Sequence, residues 1–515
     1  MSIISKVINY DVLPTKVADF LRDTPNWKLV AGGGLVLLGG YYAFFKDNSG
    51  LPGPRGYPIV GILPLLDKKA PHLSIYAMSE KYGDVCSLSF LSDDFVLVSG
   101  EKNIYDIYIN KQDDFSNRLR NVRIATVLDG LMDITSMNDC EKFRDVKKLT
   151  MRSLKTYGEG MERVEDISTE VIGDFINFIA ETKGKPLDIS KKLKDVFGDI
   201  ITSMVLNKRV SNTITQKFVH NYDRILTYTI NPFTAIIEFF PWLKYFGNHT
   251  YKTLRNFVKL RNKLINPLVE SAFKEYDPDD IKTAFQQIVF LMNQSKFDYN
   301  LRDMTAVVIV LIVAGFVTTS STLYGLFPIL MAHRHVEEKI LQEISEVIGF
   351  DRSPKLSDKA NMPYTEATIL EAHRILSILP FSLPHQATRN TTLGGYNIKK
   401  GTTIWPNIWG LHHDKEIWGD PYNFRPERFL DKDGKVLSVE HRLRKCLLPF
   451  GAGRRVCLGK NMANNRLFLF LTTVLQRFKF QPEEGKTVLW DPKEMEYSVV
   501  LCQKPYKMSF LPRQS

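Results

Sequence analysis

The chain has 515 residues, of which 44% are hydrophobic and 24% charged, and 68 Lys+Arg against 57 Asp+Glu leave a formal net charge of +11. These proportions exclude a disordered chain and a protein built mainly of membrane spans. Five Cys over this length exclude a disulfide scaffold, and none is arranged as C-x-x-C, which argues against a zinc ribbon or thioredoxin-type site. The positive excess points to an acidic partner: nucleic acid, an anionic membrane or an acidic protein.

An uncharged apolar stretch lies near the N-terminus. Residues 29–45 are LVAGGGLVLLGGYYAFF, with Lys28 and Lys46 on either side. This length is short for a bilayer span and glycines weaken the helix, but aromatic residues at the two ends suit the membrane interface. A cleaved signal peptide and a buried helix are the alternatives; the polar leader and the lack of a small-residue cleavage site argue against the first. We expect a leader at 1–28 and an uncleaved membrane anchor at 29–46.

A proline-rich segment, LPGPRGYPIVG, begins at Leu51. Its prolines fix the backbone and cannot continue a helix, so the sequence predicts a stiff linker over 47–64. Apolar residues then recur at helical spacing, for example at 164–182, 193–207 and 252–275, while short β-type runs lie at 85–100 and 392–405. With no second linker, we expect one large domain at 65–515 that is mainly α with small β-sheets.

The segment Met304 to Ala332 has no charged residue. By hydropathy alone it is a second candidate for a membrane span, but a helix that is apolar all round is equally the core helix of a large protein. Hydroxyl residues at 318–322 would be poor lipid-facing residues, and mid-helix hydroxyls bond back to preceding carbonyls. The small pair Ala314-Gly315 lets a bulky group approach the backbone. We predict a long buried helix.

Cys457 stands in the most informative segment, Phe450-Gly-Ala-Gly-Arg-Arg-Val-Cys-Leu-Gly459. Its glycines allow a tight turn and close approach to a flat ligand. A helix is predicted to follow over 460–478, and we expect its N-terminus together with Arg454 and Arg455 to lower the pKa of the thiol. A thiolate in such a loop suits the axial ligand of haem iron. The alternative, a buried structural cysteine, is the interpretation for the other four Cys.

Four motifs then resemble one known family. FGAGRRVCLG resembles the haem-binding pattern F-x-x-G-x-R-x-C-x-G of the cytochromes P450. Glu371-Ala-His-Arg374 resembles the E-x-x-R motif of that family, and PERF at 426–429 resembles its P-E-R-F motif. Residues 314–319, AGFVTT, resemble its A-G-x-[DE]-T-[TS] motif, and the proline-rich segment resembles its hinge. Their order matters, since E-x-x-R alone is a common helical ion pair. Among its members, the chain most resembles the animal microsomal enzymes that hydroxylate drugs and steroids.

The resemblance implies the mainly helical P450 fold, preceded by a membrane anchor helix, and a haem b cofactor. Cys457 would ligate the iron and Thr318 would assist oxygen activation. Glu371, Arg374 and Arg428 would form a buried charge cluster behind the haem. The remaining residues expected to contact the cofactor are Phe450, Gly451, Ala314 and Gly315.

The haem propionates need cationic or hydrogen-bonding partners because carboxylates are costly to bury unpaired. By resemblance these are Arg455, His385 and Arg118; a turn-adjacent structural histidine and a surface arginine are the alternatives for the last two. In the helix beginning at Cys140, Phe143 and Lys147 replace the family's Trp and Arg, which weakens the expectation of propionate contacts there.

Val317 occupies the position where the family usually has an acid that helps relay protons. The resemblance therefore implies a haem-thiolate monooxygenase acting on a lipophilic molecule, with an isomerase or dehydratase that needs no external electrons as the alternative. A haem-binding sensor is a third hypothesis. Lipophilic contacts are expected from 105–125, 220–245 and 380–386, and the segment 233–246 is either core or a membrane-dipping gate.

The resemblance also implies partners and a location. Electrons would come from an NADPH–cytochrome P450 reductase, with cytochrome b5 as a further donor, docking on a basic face that includes Arg442, Arg444, Lys445 and Lys460. A solvated charge cluster is the alternative interpretation of that face. The enzyme would lie on the endoplasmic reticulum membrane with its catalytic domain in the cytosol. The positive charge then indicates membrane and an acidic electron donor rather than nucleic acid.

Overall fold

Helices make up most of the structure. The computed structural model describes residues 32–34, 36, 50–57, 60–90, 93–155, 162–209, 225, 236–486, 490–497 and 500–513. In chain order these contain α1 Pro71–Tyr82, α2 Glu101–Tyr105, α3 Val122–Leu128, α4 Glu141–Leu154, α5 Glu162–Glu181, α6 Ser190–Leu206, α7 Ile236–Phe239, α8 His249–Lys274, α9 Ala284–Asn293, α10 Leu301–Ala332, α11 Arg334–Glu343, α12 Pro363–Leu376, α13 Ile408–His412, α14 Lys415–Trp418, α15 Arg442–Cys446 and α16 Lys460–Arg477. Tighter or wider helical turns lie at Leu63–Leu65, Asp106–Asn110, Pro241–Phe246, Ile344–Ile348, Leu356–Asn361, Pro426–Phe429, Gly453–Arg455 and Pro492–Glu494.

Short strands form one larger sheet and three strand pairs within the described residues. The strands are β1 Val85–Phe90, β2 Asp93–Val98, β3 Asn117–Arg118, β4 His385–Gln386, β5 Thr391–Leu393, β6 Tyr396–Ile398, β7 Thr403–Pro406, β8 Phe478–Pro482, β9 Glu496–Tyr497, β10 Leu501–Cys502 and β11 Met508–Pro512. The larger sheet has the order β1-β2-β7-β4-β3, with β2 and β7 parallel and the other neighbours antiparallel. Its last pair sets Arg118 directly opposite His385.

The proline-rich segment packs along β1. The Ser87 amide donates to the carbonyl of Pro52 at 2.8 Å, and the Ile62 amide donates to the carbonyl of Ser89 at 2.8 Å. A side chain at Gly53 would collide with the backbone of Ser87, so glycine is required for this close approach. The described part of this segment is thus held against the sheet.

Helix α10 runs through the core. Asn300 and Asp303 form a capping box at its start: the Asn300 side chain accepts from the Asp303 amide, and the Asp303 carboxylate accepts from the Asn300 amide. Of the described helices, α10 is the one long and apolar enough to cross a bilayer, but 72% of its most apolar window is buried in the protein. The prediction of a buried helix is confirmed. Its hydroxyls bond back as expected, with Ser320 donating to the Phe316 carbonyl at 2.7 Å.

The periodic segments predicted from the sequence are present as helices α5, α6 and α8, and the β-type runs are present as β1, β2, β5, β6 and β7. The prediction of a mainly helical fold with small sheets is therefore confirmed. The predicted leader and anchor lie outside the described residues, apart from helical residues at 32–34 and 36.

Candidate functional site

Cys457 lies at the end of a tight loop. The loop passes through the turn Gly453–Arg455, and the Cys457 amide donates to the Phe450 carbonyl at 2.9 Å. Gly453 has φ +59°, and a side chain there would collide with the carbonyl of Tyr108. The following helix α16 begins at Lys460 with Gly459 as its N-cap, so Cys457 precedes the cap by two residues. The sulfur is thereby fixed just ahead of a helix N-terminus.

The predicted activation of this thiol by two arginines is wrong. Arg454 pairs with Asp113 and Asp139, while Arg455 donates to the carbonyls of Ser116 and Met137. Although Cys457 is exposed on one side, burial among protein atoms raises its pKa more than the Gly459 amide and the nearby lysines lower it. Coordination to a metal ion deprotonates a thiol outright, so a bound iron would supply what the arginines do not.

One face of α10 is open although the helix is otherwise packed. Ala314 is exposed and Thr318 is half-buried, and residues four apart share a helix face. The Thr318 hydroxyl donates to the Ala314 carbonyl at 2.9 Å, so its oxygen lone pairs are available to accept. Helices α10 and α16 contact each other, so the helix that carries this face packs against the helix that follows the Cys457 loop.

Gly315 and Val317, which lie beside Ala314 and Thr318 in the sequence, pack against other parts of the protein. A side chain on Gly315 would lie 2.9 Å from Ile201 of α6, so the small residue serves helix packing rather than the open face. Val317 is buried in the main hydrophobic cluster. An acid at this position would therefore be a carboxylate placed among apolar side chains.

The three residues of the expected charge cluster lie together in the core. Glu371 and Arg374 form a bidentate pair at 2.7 and 2.8 Å with no exposed side-chain surface, and Arg428 reaches the same carboxylate at 3.2 Å. Arg374 also donates to the carbonyls of His412 and Pro421, both at 2.7 Å. These bonds join α12 to the segment 412–428, which lies ahead of the Cys457 loop.

Two of the expected propionate partners, Arg118 and Arg455, are cations, and the third, His385, is neutral because burial lowers its pKa well below 6.5. Arg118 donates to the Leu383 carbonyl at 2.8 Å, yet its buried Nε has no partner among the described residues. His385 bonds the Phe115 carbonyl through Nδ1 at 2.7 Å, and its Nε2 is likewise unpartnered in the described part of the chain. Burial lowers the pKa of Arg118 to about 10 and that of Arg455 to about 9, the latter helped by Arg118. Buried cationic donors of this kind fit a ligand that carries carboxylates.

Lys147 lies near Arg118 and Arg455. Its ammonium group donates to the Arg454 carbonyl, and burial, followed by repulsion from Arg455 and Arg118, lowers its pKa to about 8. Phe143 lies beneath the Arg455 guanidinium, 3.9 Å from it. The two departures from the family pattern therefore still lie beside these arginines.

The predicted basic face differs from the observed charge distribution. Arg442 pairs with Glu101 at 2.8 Å and Lys445 with Glu440 at 2.8 Å, while Arg444 is half-buried. More cations line a surface groove of about 530 Å³ along α4. Its lining residues are Phe143, Arg144, Lys147, Lys148, Met151, Arg152, Lys155 and Arg454. The groove lies on a different element from the predicted face, since most of its cations come from helix α4.

Tyr108 is a further residue that the motifs did not identify. It lies in the widened helical turn Asp106–Asn110, and its ring would be 3.3 Å from a side chain on Gly451. Its edge faces the His385 ring, with centroids 5.3 Å apart. No motif marks this position, although a widened turn is frequent at functional sites.

Comparisons with known proteins agree with this arrangement. The model of the family described as Cytochrome P450 matches residues 51–510. The chain is 31% identical to cytochrome P450 1A3 of Oncorhynchus mykiss, over 88% of this chain and 89% of that protein. It is 28% identical to the steroid 17-alpha-hydroxylase/17,20 lyase of Ictalurus punctatus, over 91% and 92% respectively. It is 29% identical to cytochrome P450 2B4 of Oryctolagus cuniculus, over 90% and 94%. The chain belongs to the cytochrome P450 family, whose enzymes are oxidoreductases of the monooxygenase type.

Proposed function

We propose that this enzyme inserts one atom of O₂ into a lipophilic small molecule such as a steroid, fatty acid or xenobiotic. The observation that carries the proposal is the placement of Cys457 ahead of α16, with the open Ala314–Thr318 face on the contacting helix α10. Relatives named for steroid hydroxylation support the substrate class.

Different residues would bind the iron, bind the haem propionates and position a water or substrate oxygen. Cys457 would hold the iron of haem b, and a thiolate-ligated haem supplies electron density that favours O–O cleavage. Arg118, His385, Arg455 and Lys147 would hold the propionates. Thr318 would keep a water or substrate oxygen in place, because its own proton is engaged by the Ala314 carbonyl.

The electron donor would dock on the groove along α4. Six cations line the groove, of which Arg454 pairs with Asp113 and Asp139 and Arg144 pairs with Asp139. An acidic flavoprotein, the NADPH–cytochrome P450 reductase, matches that charge, and cytochrome b5 would use the same surface. We propose this groove as the docking site in place of the surface around Arg442 and Lys445, because more cations line it.

Membrane attachment would involve two segments. The first is the anchor at 29–46. The second is the turn Pro241–Phe246, where Trp242, Tyr245 and Phe246 are exposed beside Lys244. Exposed aromatics with an adjacent lysine are typical of a segment at a membrane interface. Both would hold the catalytic domain on the cytosolic face of the endoplasmic reticulum.

Val317 supports a second candidate, an isomerase or dehydratase that rearranges a peroxide. The full chain in reconstituted membranes with reductase separates the two. We expect lipophilic products only with NADPH and O₂ present together. Product from a hydroperoxide alone, with no dependence on reductase, would favour the isomerase. In the first case Thr318→Ala should divert NADPH into hydrogen peroxide, while Thr318→Ser should preserve coupling to product.

A further inference from the structure

Tyr108 holds a hydroxyl group that the described protein leaves unsatisfied. The residue is 2% exposed, and its hydroxyl has no hydrogen-bond partner among the described residues. Burial raises the pKa of this hydroxyl, while a side-chain contact with Ser382 and the charge of Arg118 lower it. Most buried polar side-chain atoms in native proteins are hydrogen-bonded, so an unpaired hydroxyl of this kind calls for a partner.

Three such atoms belong to neighbouring side chains. The Tyr108 hydroxyl, Arg118 Nε and His385 Nε2 are all buried without a partner in the described part of the chain. Arg118 and His385 face each other across the β3–β4 pair, and the His385 ring meets the edge of Tyr108. Two of the three, the Tyr108 hydroxyl and Arg118 Nε, are donors without an acceptor, and they indicate a ligand that accepts hydrogen bonds. Nε2 of the neutral His385 ring is an acceptor, since Nδ1–H donates to the Phe115 carbonyl.

The position of Tyr108 against the Cys457 loop restricts that ligand. Its ring lies over Gly451 and its backbone carbonyl over Gly453. Tyr108 therefore packs against the loop that carries Cys457, and a group held by its hydroxyl would lie near that loop. The surrounding cations Arg118 and Arg455 require that group to be anionic.

We propose that the Tyr108 hydroxyl donates a hydrogen bond to a carboxylate side chain of the bound porphyrin. This deepens the proposed haem-thiolate function and rests on it. The three polar groups differ in chemistry, and burial lowers the pKa of His385 well below 6.5. His385 uses Nδ1–H for the Phe115 carbonyl, so its Nε2 donates only when the ring is charged. The phenol donates while neutral, and it thus holds the carboxylate whichever charge state His385 has.

The test uses the full-length holoenzyme in detergent. Tyr108→Phe removes only the hydroxyl, and Tyr105→Phe makes the same change three residues away on an exposed ring. Two quantities are measured: the rate of haem transfer to excess apomyoglobin, and the propionate bending bands in the resonance Raman spectrum. We expect Tyr108→Phe to release haem about tenfold faster, as the loss of one hydrogen bond to a charged group implies, and to shift a propionate band. Tyr105→Phe should change neither.

The Raman bands separate hydrogen bonding from packing. Faster haem release with unchanged propionate bands would overturn the proposal, since a packing role alone gives that pattern, and no change in either quantity would overturn it as well. Tyr108→His retains a donor and should return the bands toward those of the unaltered enzyme; bands identical to those of Tyr108→Phe would contradict the hydrogen bond. An unaltered chain that binds no haem refutes the proposed function instead.

Discussion

The carboxylate of Glu371 receives two hydrogen bonds from the guanidinium of Arg374 one helical turn away, and neither side chain has any exposed surface. Arg428 donates to the same carboxylate and also pairs with Asp420 at 2.5 Å, so Glu371 contributes to the compensation of both buried cations. Removing one partner of a buried ion pair is costly because the remaining charge stays desolvated.

Glu371→Gln should therefore destabilise the fold by about 3–5 kcal/mol. Urea unfolding of the holoenzyme measures this difference. Glu366→Gln is the matched control on the same helix, since Glu366 pairs with Lys359 at 3.0 Å in a partly exposed position. The control should cost at most about 1 kcal/mol. Equal effects of the two substitutions would show that the buried cluster contributes no special stability.

Arg466 presents the opposite situation. It is 2% exposed, and the described residues give it no carboxylate: its close contact is the sulfur of Met462, and its Nε is unpartnered. Burial lowers its pKa to about 10. Replacing a buried charge by an apolar side chain of similar volume is frequently stabilising, so Arg466→Met should raise the free energy of unfolding by roughly 1–3 kcal/mol.

The control for this substitution is Arg477→Met, an exposed arginine near the end of the same helix α16. It should leave the unfolding midpoint nearly unchanged. A lower midpoint for Arg466→Met would mean that an anion compensates Arg466 in solution.

Glu238 connects two segments that are distant in the chain. Its carboxylate accepts from the amides of Val122 and Arg123 at 2.6 and 3.1 Å and from the Arg123 side chain at 2.8 Å. It therefore neutralises the N-terminus of α3, where helix dipoles favour negative charge. Glu238→Gln should speed hydrogen exchange of the α3 amides by about tenfold or more.

Hydrogen exchange read by mass spectrometry measures that change. Glu275→Gln, which removes an exposed acid paired with Lys208 at 3.4 Å, is the control and should leave α3 unchanged. Unaltered exchange of α3 in Glu238→Gln would show that this helix is held by packing alone.

Buried histidines predict the pH dependence of stability. Burial lowers the pKa of His72 and His373 to about 4 and that of His413 to about 3, and it lowers the pKa of His412 well below 6.5. His412 accepts a hydrogen bond from the Leu448 amide at its Nε2, which requires that nitrogen to be unprotonated. Below pH 6.5 the unfolded chain binds protons that the folded chain does not.

Unfolding is then favoured as the pH falls from 6.5 toward 4, by up to about 1.4 kcal/mol per histidine and pH unit. Above pH 6.5 these groups are neutral in both states and contribute no slope. Thermal unfolding at pH 7, 6 and 5 should show the midpoint falling below 6.5, with net proton uptake. A constant midpoint over this range would exclude neutral buried histidines.

Residue spacing and motif order predicted many of the helices and the buried charge cluster. They did not predict contacts between residues that are distant in the chain. Helical spacing identified α5, α6 and α8, and the order of the motifs placed Glu371 and Arg428 in one cluster. Arg454 is close to Cys457 in the sequence, but after the turn at Gly453 its side chain pairs with Asp113 and Asp139 instead. The pairing of Arg442 was missed for a similar reason, since its partner Glu101 lies far away in the chain.

The central claim is that Cys457 ligates a haem iron, and the reduced, CO-bound difference spectrum tests it most directly. The unaltered chain should show the red-shifted band of a thiolate-ligated haem. Cys457→Ser should lose that band, whereas Cys140→Ser should keep it, because Cys140 is an exposed N-cap of α4 and serine caps helices well. A red-shifted band that persists in Cys457→Ser would contradict the account.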